Sequence, residues 1–194
     1  MGRYLIMLRK VFTNIKSILI DISTILFEFL SNIEVEMVKP NSKLFFRIIY
    51  LKLKKVRFGK NVFIAKNSII YCGQNLVIGD NVLIGENAKI HCHGKITIGD
   101  NFLSAPGLTI NSGSHDIYTM KPIVQEVEIG KNVWCGVNVT ILSGVKIGDN
   151  TVIGACSLVN KDVPSYSLYG GVPAKKIKEI EIIENNVKWK WYEK

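Results

Sequence analysis

Val127-Glu128-Ile129-Gly130-Lys131-Asn132-Val133-Trp134-Cys135-Gly136-Val137-Asn138-Val139-Thr140-Ile141 contains three apolar–x–apolar triplets at six-residue intervals. Alternation of that kind puts both flanking side chains on one face of a short strand, and the residues between triplets form turns. The pattern extends in both directions. An apolar–Gly–Asp/Lys–Asn tetrad begins at Phe58, Ile78, Ile98, Ile129 and Ile147, with steps of 20, 20, 31 and 18 residues. Within each interval the apolar position repeats every six, through Ile64 and Ile70, Ile84 and Ile90, Ser104 and Ile110, Cys135 and Ile141, Ile153 and Val159. Three such strands make one coil. A flat strand of this length cannot bury its apolar side alone, so coils must stack about 4.8 Å apart. Helix is excluded by Gly, Asn and Asp recurring every six residues. The expected fold is an all-β solenoid over residues 55–163, prism-shaped and parallel.

The corners differ. The first two of each coil carry Gly or Ala, as at Gly79 and Gly85, and the pattern assigns these glycines a backbone conformation that other residues resist. The third carries Tyr71, His91, Asn111, Leu142 and Asn160. One edge of the prism is therefore open to large and polar side chains. The break in the period, a loop over 112–126, starts from that edge, and an insertion into a rigid repeat usually has a function.

Of the 194 residues, 47% are hydrophobic and 21% charged, which is enough for a core and excludes overall disorder. The net charge is +9, and residues 1–55 supply ten positive and four negative side chains. In that flank, residues 1–54, Ile15, Ile18, Ile22, Ile25, Phe29 and Ile33 keep helical spacing, and a basic second helix is expected from Ser42 to Lys54. Residues 164–194 read as an extended segment followed by a charged helical tail. The four cysteines form no CxxC pair and suit a reducing compartment. No stretch reaches the roughly 18 apolar residues of a membrane span, and no signal-peptide pattern is present. A cytoplasmic location follows.

Trp134-Cys135-Gly136, then Ile153-Gly154-Ala155-Cys156-Ser157 and Gly171-Val172-Pro173-Ala174-Lys175, resemble the hexapeptide-repeat acyltransferases. The likeness is greatest to their maltose and galactoside acetyltransferase branch, and within it to bacterial polysaccharide O-acetyltransferases. It covers residues 56–180. The resemblance implies a left-handed parallel β-helix, a homotrimer with active sites between subunits, and acetyl-CoA as donor. It also implies a general base at His115, in Asn111-Ser112-Gly113-Ser114-His115-Asp116, and donor contacts at Trp134, Ala155, Asn160, Lys161, Lys175 and Lys178. Galactoside-type enzymes place an acceptor-orienting Asn where this chain has Gly85, so those acceptor contacts are not carried over.

The chemistry agrees with the resemblance. A sugar hydroxyl needs a base to take its proton as it attacks a thioester, and an imidazole with an ordinary pKa near 6.5 suits that task at neutral pH. Direct transfer needs no nucleophilic side chain. Cys135 falls among the inward positions and reads as core. His91 and His93 lie one coil below Asn111 and Gly113, where acceptor-site lining and plain surface solvation both fit. The three histidines lack the carboxylate or further His that a metal site requires. Lysines at a strand corner can pair with the phosphates of the donor.

The leading reading is an acetyl-CoA-dependent O-acetyltransferase acting on a saccharide of capsule, O-antigen or exopolysaccharide. Alternatives are an N-acetyltransferase on an amino-sugar nucleotide and a non-catalytic scaffold. No motif accompanies the basic flank that would read nucleic acid. The N-terminal stripe has two accounts: it caps the open solenoid end, or it rests peripherally on an anionic membrane.

Overall fold

The computed structural model describes residues 48–181. The N-terminal stripe lies outside them, as does the tail beyond residue 181. Residues 48–53 are helical, within the span expected for the basic second helix, whose residues before 48 lie outside the described ones. Coil one comprises β1 (Arg57–Phe58), β2 (Phe63–Ile64) and β3 (Ile69–Tyr71). A single 3-10 turn, Gly73–Asn75, leads to coil two: β4 (Leu76–Ile78), β5 (Leu83–Ile84) and β6 (Lys89–His91). Coil three holds β7 (Ile96–Ile98), β8 (Leu103–Ser104) and β9 (Thr109–Asn111). The hairpin β10 (Gly113–His115) and β11 (Pro122–Val124) follows. Coil four is β12 (Val127–Ile129), β13 (Trp134–Cys135) and β14 (Thr140–Ile141). Coil five is β15 (Lys146–Ile147), β16 (Val152–Ile153) and β17 (Leu158–Val159), and β18 (Ser167–Gly170) and β19 (Lys175–Glu179) end the described chain.

Strands at equivalent positions pair in parallel and build three sheets, β1-β4-β7-β12-β15, β2-β5-β8-β13-β16-β18-β19 and β3-β6-β9-β14-β17. The solenoid is thus closed by three flat faces. Registers are those the repeat dictates, with Ile78 opposite Ile98 and Ile98 opposite Ile129. The inward positions form one continuous core in which Ile70, Ile84, Ile90, Ile110, Cys135, Ile141 and Ile153 are fully buried. Ser104, the polar exception in the series, is also buried and accepts a hydrogen bond from Gly85 N at 3.1 Å. At the N-terminal end Tyr50 and Leu51 of the helical turn are buried in the same cluster, over Val56 and Ile70.

The structure corrects the role of the corner glycines. Gly59, Gly79, Gly99, Gly130 and Gly148 do not have positive φ; the residue two places on does, in Asn61, Asn81, Asn101, Asn132 and Asn150. Asparagine tolerates this left-handed conformation better than most residues because its short amide can bond locally. Here it bonds to the next coil. The five amides form a ladder, with Nδ2 to Oδ1 distances of 2.9, 3.2, 2.9 and 2.9 Å from coil to coil. Glycine is needed for space instead. A Cβ on Gly99 would lie 2.6 Å from Gly130 O and 2.7 Å from Gly130 C, backbone that cannot move without separating coils.

After the last full coil the chain does not turn helical at once. β18 continues the second sheet beside β16, and β19 folds back antiparallel on β18, with Leu168 opposite Lys178 and Gly170 opposite Lys175. Among the described residues no helix is long and apolar enough to cross a membrane.

Candidate active site

The third edge carries the site. Asn111 ends β9, and its Oδ1 accepts from Gly113 N at 3.0 Å, which turns the chain outward into the hairpin. Ser112, fully buried, anchors that exit: its Oγ lies 3.0 Å from both His91 O and Gly94 O and accepts from Gly94 N at 2.9 Å. The return strand is tied to the same point by Gln125 N donating to Ser112 O at 3.0 Å. The hairpin is thus fixed at its base by groups of the solenoid. At its tip, Asp116 Oδ1 accepts from Tyr118 N, Thr119 N and Thr119 Oγ1 at 3.1, 2.7 and 2.8 Å. Those donors, the Thr119 backbone first, hold the Asp116 carboxyl below the ordinary carboxylate range.

His115 sits on β10 opposite Pro122, with its side chain exposed. It faces an open concavity of about 440 Å³ lined also by His93, Asn111, Gly113, Ser114 and Val124. His93 forms the floor under Gly113, where a Cβ would come within 2.8 Å of the ring's Cδ2. His93 therefore belongs to the His115 concavity. His91 lies beside it, with ring centroids 6.4 Å apart, and stacks on Tyr71 at 4.7 Å with an 18° tilt. Burial, followed by the neighbouring His93 and Lys89 charges, pushes the His91 pKa down, so this ring is neutral near pH 7. Among the described residues no group of three or more His, Cys, Asp and Glu could hold a metal ion.

The other expected residues lie elsewhere on the prism. Ala155 is exposed at the second corner of coil five, and Asn160 and Lys161 at the third. Ala174 N donates to Leu158 O at 2.8 Å and Leu158 N to Gly171 O at 3.0 Å, so the Gly-x-Pro-Ala-Lys stretch docks on coil five. Lys175 begins β19 and pairs with Gly170 on the second sheet. Lys178 lies on β19, not on a helix. Trp134, 50% exposed, stands on the outer face of the second sheet. Within one chain, then, the structure gathers His93, Asn111 and His115 round one concavity, while Asn160 and Lys161 follow β17 at the third corner of coil five and Lys175 stands on β19 of the second sheet. Trp134 does not line the His115 concavity.

The outer face of the second sheet carries an apolar row that the six-residue period by itself does not single out. Leu83, Leu103, Trp134, Val152 and Leu168 follow one another across it in register. The corresponding outward row on the first sheet reads Arg57, Val77, Thr97, Glu128 and Lys146. One face is apolar and the other polar. The signal was present in the sequence as the middle residue of the second triplet in each coil.

A parallel solenoid of stacked six-residue repeats is the fold of the hexapeptide-repeat class of transferases. Residues 75–111 match the model for the hexapeptide repeat of succinyl-transferase, and residues 126–161 that for the bacterial transferase hexapeptide (six repeats). The chain is 32% identical to a maltose O-acetyltransferase from Clostridium difficile 630, with a TM-score of 0.69, covering 80% of this chain and 83% of that one. It is 30% identical to a galactoside acetyltransferase solved in complex with coenzyme A, with a TM-score of 0.57 and coverage of 80% and 78%. A chloramphenicol acetyltransferase from Morganella morganii is 44% identical over 72 residues, 34% of each chain. The chain belongs to the hexapeptide-repeat acetyltransferase family, and its solenoid is the left-handed parallel β-helix of that family. The stretches matched in curated relatives span between 28% and 47% of those relatives' length.

Proposed function

We propose that the protein is an acetyltransferase that moves the acetyl group of acetyl-CoA directly to a hydroxyl of a saccharide. The placement of His115 carries the reading: it is exposed on a hairpin anchored to the solenoid, beside a concavity whose lining offers hydroxyl, amide and imidazole groups and no carboxylate. Its imidazole takes the proton of the acceptor hydroxyl as the oxygen attacks the thioester carbonyl. The C–S bond of the tetrahedral adduct then breaks, and the imidazolium returns the proton to the leaving CoA thiolate. The site needs no nucleophilic side chain. Cys135 in particular is fully buried, with burial pushing its thiol pKa up to about 12.

Asn160, Lys161, Lys175 and Lys178 suit the donor: the three lysines are exposed cations that can pair with CoA phosphates, and the segment just before Lys175 docks on β17 through Ala174 N to Leu158 O. Ala155 and Trp134 would meet the pantetheine arm and the acetyl group. Because Trp134 stands on a different face from His115, one active site draws on two chains. The apolar row through Leu83, Leu103 and Trp134 is the surface that a second copy would cover, which supports a homotrimer. Use of acetyl-CoA as donor fits a cytoplasmic enzyme, and a capsule, O-antigen or exopolysaccharide unit fits an acceptor with several free hydroxyls. A transfer screen with acetyl-CoA against a glycan panel, read by mass spectrometry, tests the assignment. An acetylated glycan is expected. Acetylation of amines only would replace the O-acetyltransferase reading with the N-acetyl one.

A further inference from the structure

The third edge does not end at the His115 concavity. It continues toward the N-terminal end as a column of ring edges, His93, then His91, then Tyr71, one or two coil steps below Asn111. The rings stack on one another, Tyr71 on His91 at 4.7 Å and His91 beside His93 at 6.4 Å. One face of Tyr71 is thereby covered by His91, and the polar atoms of all three rings lie on their rims. Tyr71 is 46% exposed, and the His93 side chain is exposed as well. A phenol hydroxyl both donates and accepts, and a neutral imidazole has one nitrogen for each role. Sugar hydroxyls have the same double capacity. Stacking also spares each ring most of the rotamer entropy that a free surface side chain would lose on binding.

We propose, resting on the saccharide reading above, that the acceptor is a glycan of at least two sugar units. Its reacting unit sits at His115 and the next lies along His93, His91 and Tyr71. The run from Asn111 to Tyr71 is two coil steps, roughly 9.6 Å, longer than a single pyranose ring. The flanking charge is Lys89, on the same strand as His91, so the row suits neutral or acidic glycans and disfavours cationic ones.

The test uses the full chain, acetyl-CoA and three acceptor series: glucose to maltotetraose, galactose to galactotetraose, and N-acetylglucosamine to chitotetraose. In at least one series kcat/KM should rise about tenfold from one unit to three, the effect of one or two added hydrogen bonds. In Tyr71→Ala the trimer-to-monomer ratio should fall close to one. In Tyr71→Phe, which keeps the stack and loses the hydroxyl, it should fall part of the way. Circular dichroism and acetyl-CoA affinity would verify that both variants are folded. A wild-type ratio near one, with monosaccharides acetylated, overturns the extended subsite and leaves the saccharide reading standing. So does a ratio that survives Tyr71→Ala. No transfer to any member, with acetyl-CoA still bound, overturns both.

Discussion

Replacing Asn101 separates what its side chain does from what its backbone does. Asn101 has φ +56° and stands in the middle of the amide ladder. Its Oδ1 accepts from Asn81 at 3.2 Å, and its Nδ2 donates to Asn132 at 2.9 Å. Losing two side-chain hydrogen bonds costs about 2 kcal/mol. Alanine also tolerates the left-handed region less well than asparagine, which adds up to about 1 kcal/mol. Asn101→Ala should therefore lose up to about 3 kcal/mol. Asn101→Gly avoids the backbone penalty, though it gives the unfolded chain some entropy, and should lose about 2 kcal/mol. An ordinary surface substitution costs under about 0.5 kcal/mol, so both effects are well outside that range. The measurement is equilibrium urea denaturation at fixed protein concentration, since assembly shifts apparent stability. Asn101→Ala within 0.5 kcal/mol of wild type would refute the ladder. A glycine variant less stable than the alanine one would refute the backbone argument.

Gly99→Ala should be more damaging than either, because its Cβ meets Gly130 backbone at 2.6 Å and only coil separation relieves it; a large drop in melting temperature is expected, and an unchanged one would contradict the stacking account. Native protein at pH 8 should lose two of its four thiols to iodoacetamide, Cys72 and Cys156, because Cys92 and Cys135 are buried with pKa values near 12; mass spectrometry of all four modified under native conditions would contradict this. Lys175→Ala should raise the KM for acetyl-CoA with little change in kcat, as loss of a remote phosphate contact does, and an unaltered KM would remove Lys175 from the donor site. His91 takes up a proton less readily folded than unfolded, so its neutral form favours folding above the ordinary imidazole range and this contribution is lost as pH falls through it. His91→Asn should flatten the stability slope between about pH 7 and pH 5, and an identical slope would contradict it.

The solenoid was legible because burial imposes a strict period: Ile78, Ile98 and Ile129 can stack only if each returns at the same point of the coil. The third edge was legible for the same reason, since Tyr71, His91 and Asn111 broke a rule the other corners kept. The division of labour at the corners was harder to read. Gly99 and Asn101 are both turn residues, and which one adopts positive φ depends on how tightly Gly130 is stacked above, a contact 31 residues away in the chain. The apolar row through Leu103 and Trp134 lay in the middle positions of the triplets, which read as solvent-facing until the three faces could be compared. Lys175–Glu179 is a strand because β18 offers it an edge, and nothing local in Lys175-Lys176-Ile177-Lys178-Glu179 says so. His93 reached the site only because Gly113 leaves room for its ring.

Activity of the His115→Ala variant bears on the central claim most directly. His115 is exposed on its hairpin and takes no part in the core, so the variant should fold and bind acetyl-CoA like the wild type. Its transfer rate, on whichever glycan the panel identifies, should fall by about 100-fold or more, the size of effect expected from losing a general base. A variant that binds acetyl-CoA and transfers acetyl at near the wild-type rate would contradict the account.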